Sequence, residues 1–191
     1  MNLNALLKEL KEITQIDLQE FEFFSKELKV LHLGKKIRWE NKGEISQYMG
    51  FVNSGLLRQY ELKDGHEFTT NLFFENDFIG NYVSYQTQSP SLSITETLEP
   101  SEILVIPFEK FEKLYDSIPA TQEVAEFIGK KKLLRVHARN SSLLMDSPEE
   151  RYHKLMKQNP KIFYRVPQYI IAQYLGIRPE SLSRIRNRHK S

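Results

Sequence analysis

Apolar residues near the end of the chain follow helical spacing in two short runs. Pro167 suits the first position of a helix, where its missing N–H is not needed. Gly176 favours the left-handed turn that ends this helix, and Pro179 starts a second one. The buried positions of the two runs recur at i, i+3 and i, i+4, namely Ile171, Ala172, Leu175, Leu182 and Ile185. Two short helices joined by a glycine turn are typical of a helix-turn-helix.

The first two thirds of the chain show helical and then strand-like patterns. Leucines and an isoleucine form one stripe over residues 3–13, which predicts an amphipathic helix, and a second short helix is predicted over Asp17–Ser25. Short runs separated by turn signals follow, which predicts a small antiparallel barrel or sandwich. The predicted strands are Lys29–His32, Lys36–Trp39, Gln47–Val52, Leu56–Glu61, Glu67–Phe73, Leu92–Leu98 and Ile103–Ile106.

A helix over Phe108–Tyr115 and a long helix over Pro119–Met145 come next. The long helix carries a narrow seam with 3-4 spacing, interrupted by Lys131 and formed by Val124, Phe127, Leu134, Ala138, Ser141 and Met145. Such a seam usually packs against another helix, which in a symmetric dimer is its own copy. Packing along its own barrel is the alternative, and the two are compatible.

Ser147 and Pro148 then predict the start of a new helix, which ends near Asn159. A short extended segment, Ile162–Arg165, leads into the helix pair. These boundaries divide the chain into a first domain over residues 1–118, a long helix over 119–145 and a terminal domain over 146–191.

Composition narrows the class of protein. The chain of 191 residues contains no cysteine, which excludes disulfides and thiolate metal sites. It has no apolar run near 18 residues and no signal-peptide pattern, so we expect a soluble, cytoplasmic protein without a membrane partner. The five histidines show no spacing typical of a metal site.

Charge is distributed unevenly along the chain. From Ser147 onward, ten Lys and Arg residues face three acidic residues, a net charge of +7. The preceding part holds 17 basic and 22 acidic residues, a net charge of −5. A basic terminal domain beside an acidic body is typical of a nucleic-acid contact, although a solvated basic surface is the alternative.

The solvent side of the second helix of the pair supplies the chemistry for such a contact. It carries Glu180, Ser181, Arg184 and Arg188, with Arg178 at its start. These side chains hydrogen-bond base edges and phosphates in a major groove. The alternative is an ordinary helical hairpin with a charged outer face.

The order of barrel, long helix and helix-turn-helix resembles the Crp/Fnr family of bacterial transcription regulators. The similarity extends to residues 51–58, Asn76–Gly80, Ser147–Tyr152 and Leu182–Ile185. It implies an α+β fold with an antiparallel, cyclic-nucleotide-binding-like jelly-roll barrel. The barrel would belong to a sensor domain over residues 1–118, followed by a dimerisation helix over 119–145 and a helix-turn-helix DNA-binding domain over 146–191. It also implies that Glu180 and Arg184 read bases and that Gln168 contacts the DNA backbone. The family often has arginine just before the position of Glu180, where this chain has Pro179, so its sequence preference should differ.

The ligand segment departs from the cyclic-nucleotide pattern. Family members that bind cyclic nucleotides follow the glycine with a glutamate and place an arginine about ten residues later. Here Gly80 precedes Asn81, and the arginine position falls near Ser91. A phosphate without this fork donor lacks its strongest charge-assisted pair, so we expect no tight binding of cyclic AMP and no cofactor. The segment either binds another, unidentified small-molecule effector or binds nothing; its candidate residues are Gly80, Asn81, Tyr82, Ser84, Ser91 and Ser93.

The family usually has a β-wing after the recognition helix, and the sequence ends three residues after Arg188. We therefore expect a DNA-binding domain without a full wing, in which phosphate contacts depend on Arg178, Arg186, Arg188, Lys190 and dimer formation. Periodicity leaves open whether Arg186 faces the protein instead.

The leading interpretation is a homodimeric, sequence-specific transcription regulator that reads an inverted repeat of double-stranded DNA, with RNA polymerase as a further candidate partner. One alternative is an interaction module that keeps the fold without binding DNA. The other is a barrel enzyme, which needs clustered metal ligands. Only His32 and His66 lie in the barrel, and the carboxylates Glu96 and Glu99 are interpreted as exposed strand-end charges, so we expect no enzyme.

Overall fold

The computed structural model describes residues 2–188 as nine helices and eight strands. The helices are α1 (Asn4–Ile13), α2 (Leu18–Lys26), α3 (Tyr82–Thr87), α4 (Phe108–Ser117), α5 (Pro119–Met145), α6 (Pro148–Gln158), α7 (Ile162–Arg165), α8 (Gln168–Leu175) and α9 (Pro179–Arg188). The strands are β1 (Lys29–Leu33), β2 (Arg38–Glu40), β3 (Tyr48–Ser54), β4 (Leu57–Lys63), β5 (His66–Phe73), β6 (Phe78–Ile79), β7 (Ser93–Thr97) and β8 (Ser101–Pro107).

The strands form two four-stranded sheets, with the orders β1-β8-β3-β6 and β2-β7-β4-β5. The pairs β1–β8, β3–β8, β3–β6 and β2–β7 are antiparallel. The predicted α+β fold with a jelly-roll arrangement is confirmed. Among residues 2–188 the strands form two separate sheets and no closed barrel.

Strand β8 is buried on both of its faces. Ile103 and Val105 pack with Val52 and Leu57 in one apolar cluster. The alternate residues of the strand join a second cluster with helices α1, α2 and α4, whose buried members include Leu6, Leu10, Phe24, Leu104, Ile106, Phe108 and Phe111. Alternation along a strand sends successive side chains to opposite faces, so the continuous apolar run 103–106 serves two cores.

The chain divides into two compact units. One contains the residues up to Gln59 together with 72–131, and the other contains 60–71 together with the residues from Lys132 onward. Helix α5 begins and ends at the predicted residues. The predicted domain boundaries themselves remain a prediction.

Several predicted elements need correction. Residues 162–165 form one helical turn and no extended segment, since the amide of Val166 donates to the carbonyl of Ile162 at 2.9 Å. The apolar run suggested a strand, but i, i+4 spacing buries Ile162 and Val166 on one side. Strand β6 and helix α3 were not predicted. Glu96 is no exposed strand-end charge, because it pairs with the buried Arg58 at 2.7 Å.

Within residues 2–188, no helix combines the length and the hydropathy that a bilayer crossing requires. Across the same part of the chain, no three His, Cys, Asp or Glu side chains are close enough to hold a metal ion. The two histidines of the strand region are exposed, and His32 lies 3.6 Å from Glu102.

Candidate nucleic-acid interface

The α8–α9 pair is held together by the predicted apolar positions. Ile171, Ala172 and Leu182 are fully buried, and Leu175 and Ile185 are nearly so. Gly176 has φ +66°, and a Cβ at this residue would lie 3.1 Å from the Leu143 side chain. The turn therefore requires glycine for its left-handed backbone and for its close approach to α5.

The predicted DNA-reading face of α9 points to solvent. Arg178, Glu180, Arg184 and Gln168 are exposed, and Ser181 is half-buried. An exposed guanidinium beside an exposed carboxylate, on a helix whose other side is apolar, fits the requirements for reading base edges. Their role in DNA binding remains a prediction.

The other two arginines of α9 have protein contacts. Arg186 is half-buried, with its guanidinium carbon 5.9 Å from the centre of the Phe163 ring, so this side chain packs towards the protein. Arg188 is exposed and lies 3.9 Å from Glu149. An exposed pair at this distance contributes little to stability. Lys190 lies outside the described residues.

Two arginines bind the carbonyl end of α8. Arg139 of α5 donates to the carbonyl of Tyr174 at 2.8 Å and to the carbonyl of Thr69 at 3.1 Å, and it stacks 4.3 Å from the Tyr174 ring centre. Arg151 of α6 donates to the carbonyl of Leu175 at 2.8 Å. Cations at a helix C-terminus satisfy its free carbonyls and interact favourably with its dipole. These contacts fix α8 against α5 and α6.

Arg139→Met is expected to destabilise this unit by about 1–2 kcal/mol, because the hydrogen bonds from a charged donor to two carbonyls are lost. Removal of the buried charge offsets part of this loss. Burial lowers the pKa of Arg139, which shows the cost of placing this charge here. Urea unfolding measures the change in the free energy of unfolding, and hydrogen exchange of the α8 amides measures the local change. Lys130→Met, at an exposed position of the same helix, should change neither the free energy of unfolding nor the hydrogen exchange of α8. Equal effects of both substitutions would contradict the assigned role of Arg139.

The junction between α5 and α6 is also fixed by polar contacts. The side chain of Ser147 caps α6, accepting from the amide of Glu150, whose carboxylate accepts from the amide of Ser147. The ammonium of Lys154 donates to both carboxylate oxygens of Asp146, at 2.8 and 2.7 Å. The hydrogen bonds from Lys154, with a further one from Ser142, lower the pKa of the Asp146 carboxyl below its ordinary value, so the contact is present at neutral pH and is lost in acid.

The predicted seam of α5 divides into a buried and an exposed half. Val124 is 2% exposed and belongs to the core of its own unit, so it is unavailable to a second chain. Phe127 is half-buried, and Lys131 lies 3.9 Å from both Glu9 and Asp77. Beyond this point Leu134, Ala138 and Ser141 are exposed. Four large apolar side chains of this half are more than half exposed, namely Leu133 (69%), Leu134 (57%), Leu144 (83%) and Met145 (84%).

The predicted ligand residues form a hydrogen-bonded network inside the strand region. The side chain of Asn81 accepts from the amide of Ser84 and donates to Ser91, both at 3.2 Å. The hydroxyl of Ser91 donates to the carbonyl of Ser93 at 3.1 Å. Gly80 has φ +138°, and a Cβ there would lie 2.9 Å from the carbonyl oxygen of Tyr48. Ser84, Ser91 and Ser93 are buried.

Tyr82 is separate from this network. It is 47% exposed, its ring centre lies 5.5 Å from that of Phe108, and its hydroxyl accepts from Gln86. Burial of its hydroxyl, followed by the charge of Glu112, raises the pKa of Tyr82. Tyr82 is therefore part of an aromatic cluster with Tyr85 and Phe108.

Two residues that the sequence did not indicate complete the network. The amide of Ser46 donates to the hydroxyl of Ser84 at 3.2 Å, and the amide of Asn81 donates to the hydroxyl of Ser46 at 3.4 Å. Ser46 in turn donates to the carboxylate of Glu40, which also accepts from Thr95 at 3.1 Å. The hydroxyl of Ser46 therefore links the carboxylate of Glu40 to the backbone amide of Asn81, the residue that caps α3. No motif marks Glu40 or Ser46 in the sequence.

Comparison with known proteins gives one family match and several matches of fold. Residues 41–117 match the model of the cyclic nucleotide-binding domain family. None of the curated protein sequences compared with the chain matches it.

Three solved structures are similar over most of the chain. CooA from Carboxydothermus hydrogenoformans has 18% sequence identity and a TM-score of 0.71, and covers 93% of this chain and 86% of its own. The c-di-GMP-responsive global regulator CLP of Xanthomonas campestris has 18% identity and a TM-score of 0.70, with 91% and 92% covered. A protein from Eubacterium rectale assigned to the Crp/Fnr family of transcriptional regulators has 18% identity and a TM-score of 0.68, with 92% and 84% covered. Residues 41–117 are therefore similar to the cyclic nucleotide-binding domain family, and the chain has the fold of the Crp/Fnr transcriptional regulators.

Proposed function

We propose that this protein is a homodimeric, sequence-specific DNA-binding transcription regulator. The observation that carries this proposal is the exposed polar face of α9, in which Arg184 and Glu180 project from a helix whose opposite side is buried. The net charge of +7 from Ser147 onward provides the sequence-independent attraction to phosphates. The regulator fold of the chain agrees with this role.

The dimer is inferred from the exposed half of α5. Apolar side chains at Leu133, Leu134 and Leu144 gain free energy when water is removed from them, and a twofold axis along α5 would pair them with their own copies. Two recognition helices would then enter successive major grooves about 34 Å apart, one turn of DNA. The site should therefore be an inverted repeat.

Selection of bound sites from random double-stranded DNA tests DNA binding, symmetry and spacing together. We expect an inverted repeat whose half-sites are centred about 10 base pairs apart. Recovery of no enriched sequence would refute sequence-specific binding, and enrichment of a single unrepeated half-site would refute the symmetric dimer.

Calorimetry with cyclic AMP is expected to show no binding in the low-micromolar range. The donors of Asn81 are used internally, since its amide donates to Ser46 and its side-chain amide donates to Ser91. No Lys or Arg occurs between residues 76 and 98, and Glu40 adds a negative charge next to this segment. A bound phosphate would therefore meet repulsion in place of a charge-assisted pair. A low-micromolar dissociation constant would contradict this prediction.

A further inference from the structure

A small cavity opens beside the internal network, in a part of the domain that the sequence did not indicate. Its volume is about 140 Å³, and Trp39, Glu40, Glu44, Ser46, Tyr48 and Ser91 are among its lining residues. A cavity of about 150 Å³ holds a molecule of the size of benzene. This cavity is therefore much too small for a cyclic nucleotide and suits a ligand of a few non-hydrogen atoms.

The pairing of β2 with β7 is irregular beside the cavity. The register between β2 and β7 shifts between Arg38 and Glu40. In a regular strand, the neighbours Trp39 and Glu40 would point to opposite faces, but a bulge redirects one of them. Both residues line the cavity, and Trp39 also packs against the apolar cluster between the sheets.

The charges of the lining all have one sign. Glu40 and Glu44 are among the lining residues, and within residues 2–188 no lysine or arginine lines the cavity. Glu40 is half-buried, and its orientation is fixed by hydrogen bonds from Ser46 and Thr95. A fixed, partly desolvated carboxylate favours a cation over a neutral molecule and excludes an anion.

The aromatic residues complement these carboxylates. Trp39 and Tyr48 contribute to the walls, and aromatic rings are the side chains that bind quaternary ammonium groups. A ligand that suits aromatic residues and carboxylates together carries a positive charge and an apolar surface.

We infer that this cavity binds a small organic cation, an amine or methylated ammonium compound of about the size of choline. The loop that forms one wall is attached to the ligand segment by two backbone hydrogen bonds of 2.8 Å, between Gly43 and Ser91 and between Ser91 and Glu44. Ser46 in this loop also contacts Asn81 and Ser84. A ligand in the cavity is therefore connected to the start of α3 through these hydrogen bonds. The inference rests on the proposed function and assigns a chemical class to the effector of that regulator.

The test uses choline and its neutral carbon analogue 3,3-dimethylbutan-1-ol, which differ in charge and have nearly the same shape. Calorimetry on the full chain is expected to show choline binding at least about tenfold more tightly than the neutral alcohol. Glu40→Gln should weaken choline binding at least about tenfold, while Glu22→Gln, an exposed carboxylate outside the cavity, should leave it unchanged.

Equal binding of the two compounds, no binding of either, or unchanged binding by Glu40→Gln would overturn the inference. Circular dichroism and the melting temperature of Glu40→Gln show whether this variant is folded. If it is not, Tyr48→Ala, at a residue that is 45% exposed, replaces it with the same expected loss. The measurement needs no DNA, so its failure would leave the proposed DNA binding untouched.

Discussion

The double substitution Leu134→Glu and Leu144→Glu is expected to produce a monomer that has lost most of its affinity for an inverted repeat. Both side chains are largely exposed on the chain itself, at 57% and 83%, so their replacement should leave the fold intact. In a symmetric dimer each glutamate would face an apolar surface or a second glutamate, and its burial would be costly. Loss of the second half-site should weaken DNA binding by roughly 10²–10⁴-fold.

Sedimentation equilibrium measures the assembly, and fluorescence anisotropy with the selected DNA site measures the affinity. The matched control is Leu134→Met with Leu144→Met, which keeps volume and apolar character and should preserve the dimer. A glutamate variant that remains dimeric and binds as before would show that another surface joins the two copies.

Arg184→Ala is expected to weaken binding to the selected site by roughly 1–3 kcal/mol, or about 5- to 150-fold, with little effect on random DNA. Arg184 is exposed, so its removal should not change the fold. The reason for the selective loss is that a guanidinium that pairs with a base edge contributes only when the correct base is present. Anisotropy titrations against the selected and a scrambled duplex, at one fixed salt concentration, separate the two affinities.

Arg188→Ala serves as the comparison for this experiment. Its side chain lies near Glu149 at the end of α9, and a contact with phosphate should be lost equally on both duplexes. If Arg184→Ala also weakened both duplexes equally, the assignment of Arg184 to base reading would be wrong.

The helical part of the molecule could be predicted because its signals are local. Proline at the start of α5, the Ser147 cap and the glycine turn after α8 each mark a boundary by backbone chemistry alone. The short α7 was missed because Ile, Phe and Tyr favour strands, while the burial of Ile162 and Val166 on one side depends on tertiary packing. Val124 was predicted on the dimer seam but is buried in the core of its own unit. Periodicity identifies an apolar stripe on a helix but not the surface that covers it.

The ligand region could be predicted only in part. The candidate positions Asn81, Ser84, Ser91 and Ser93 follow from the resemblance to the family's ligand segment, and hydrogen bonds join them in the structure. Glu40 ends strand β2 and Ser46 follows it in the next loop, and Ser46 joins the network through hydrogen bonds with Ser84 and Asn81, which are far away in sequence. Single-sequence patterns carry no information about such a long-range contact.

The burial of β8 on both faces has a consequence for how the strand region unfolds. Ile103 and Val105 belong to the cluster between the sheets, while Leu104 and Ile106 belong to the cluster with the helices. Neither cluster can be exposed to water without displacing the strand that completes the other. The two should therefore melt in a single cooperative transition, with the amides of β8 among the slowest to exchange.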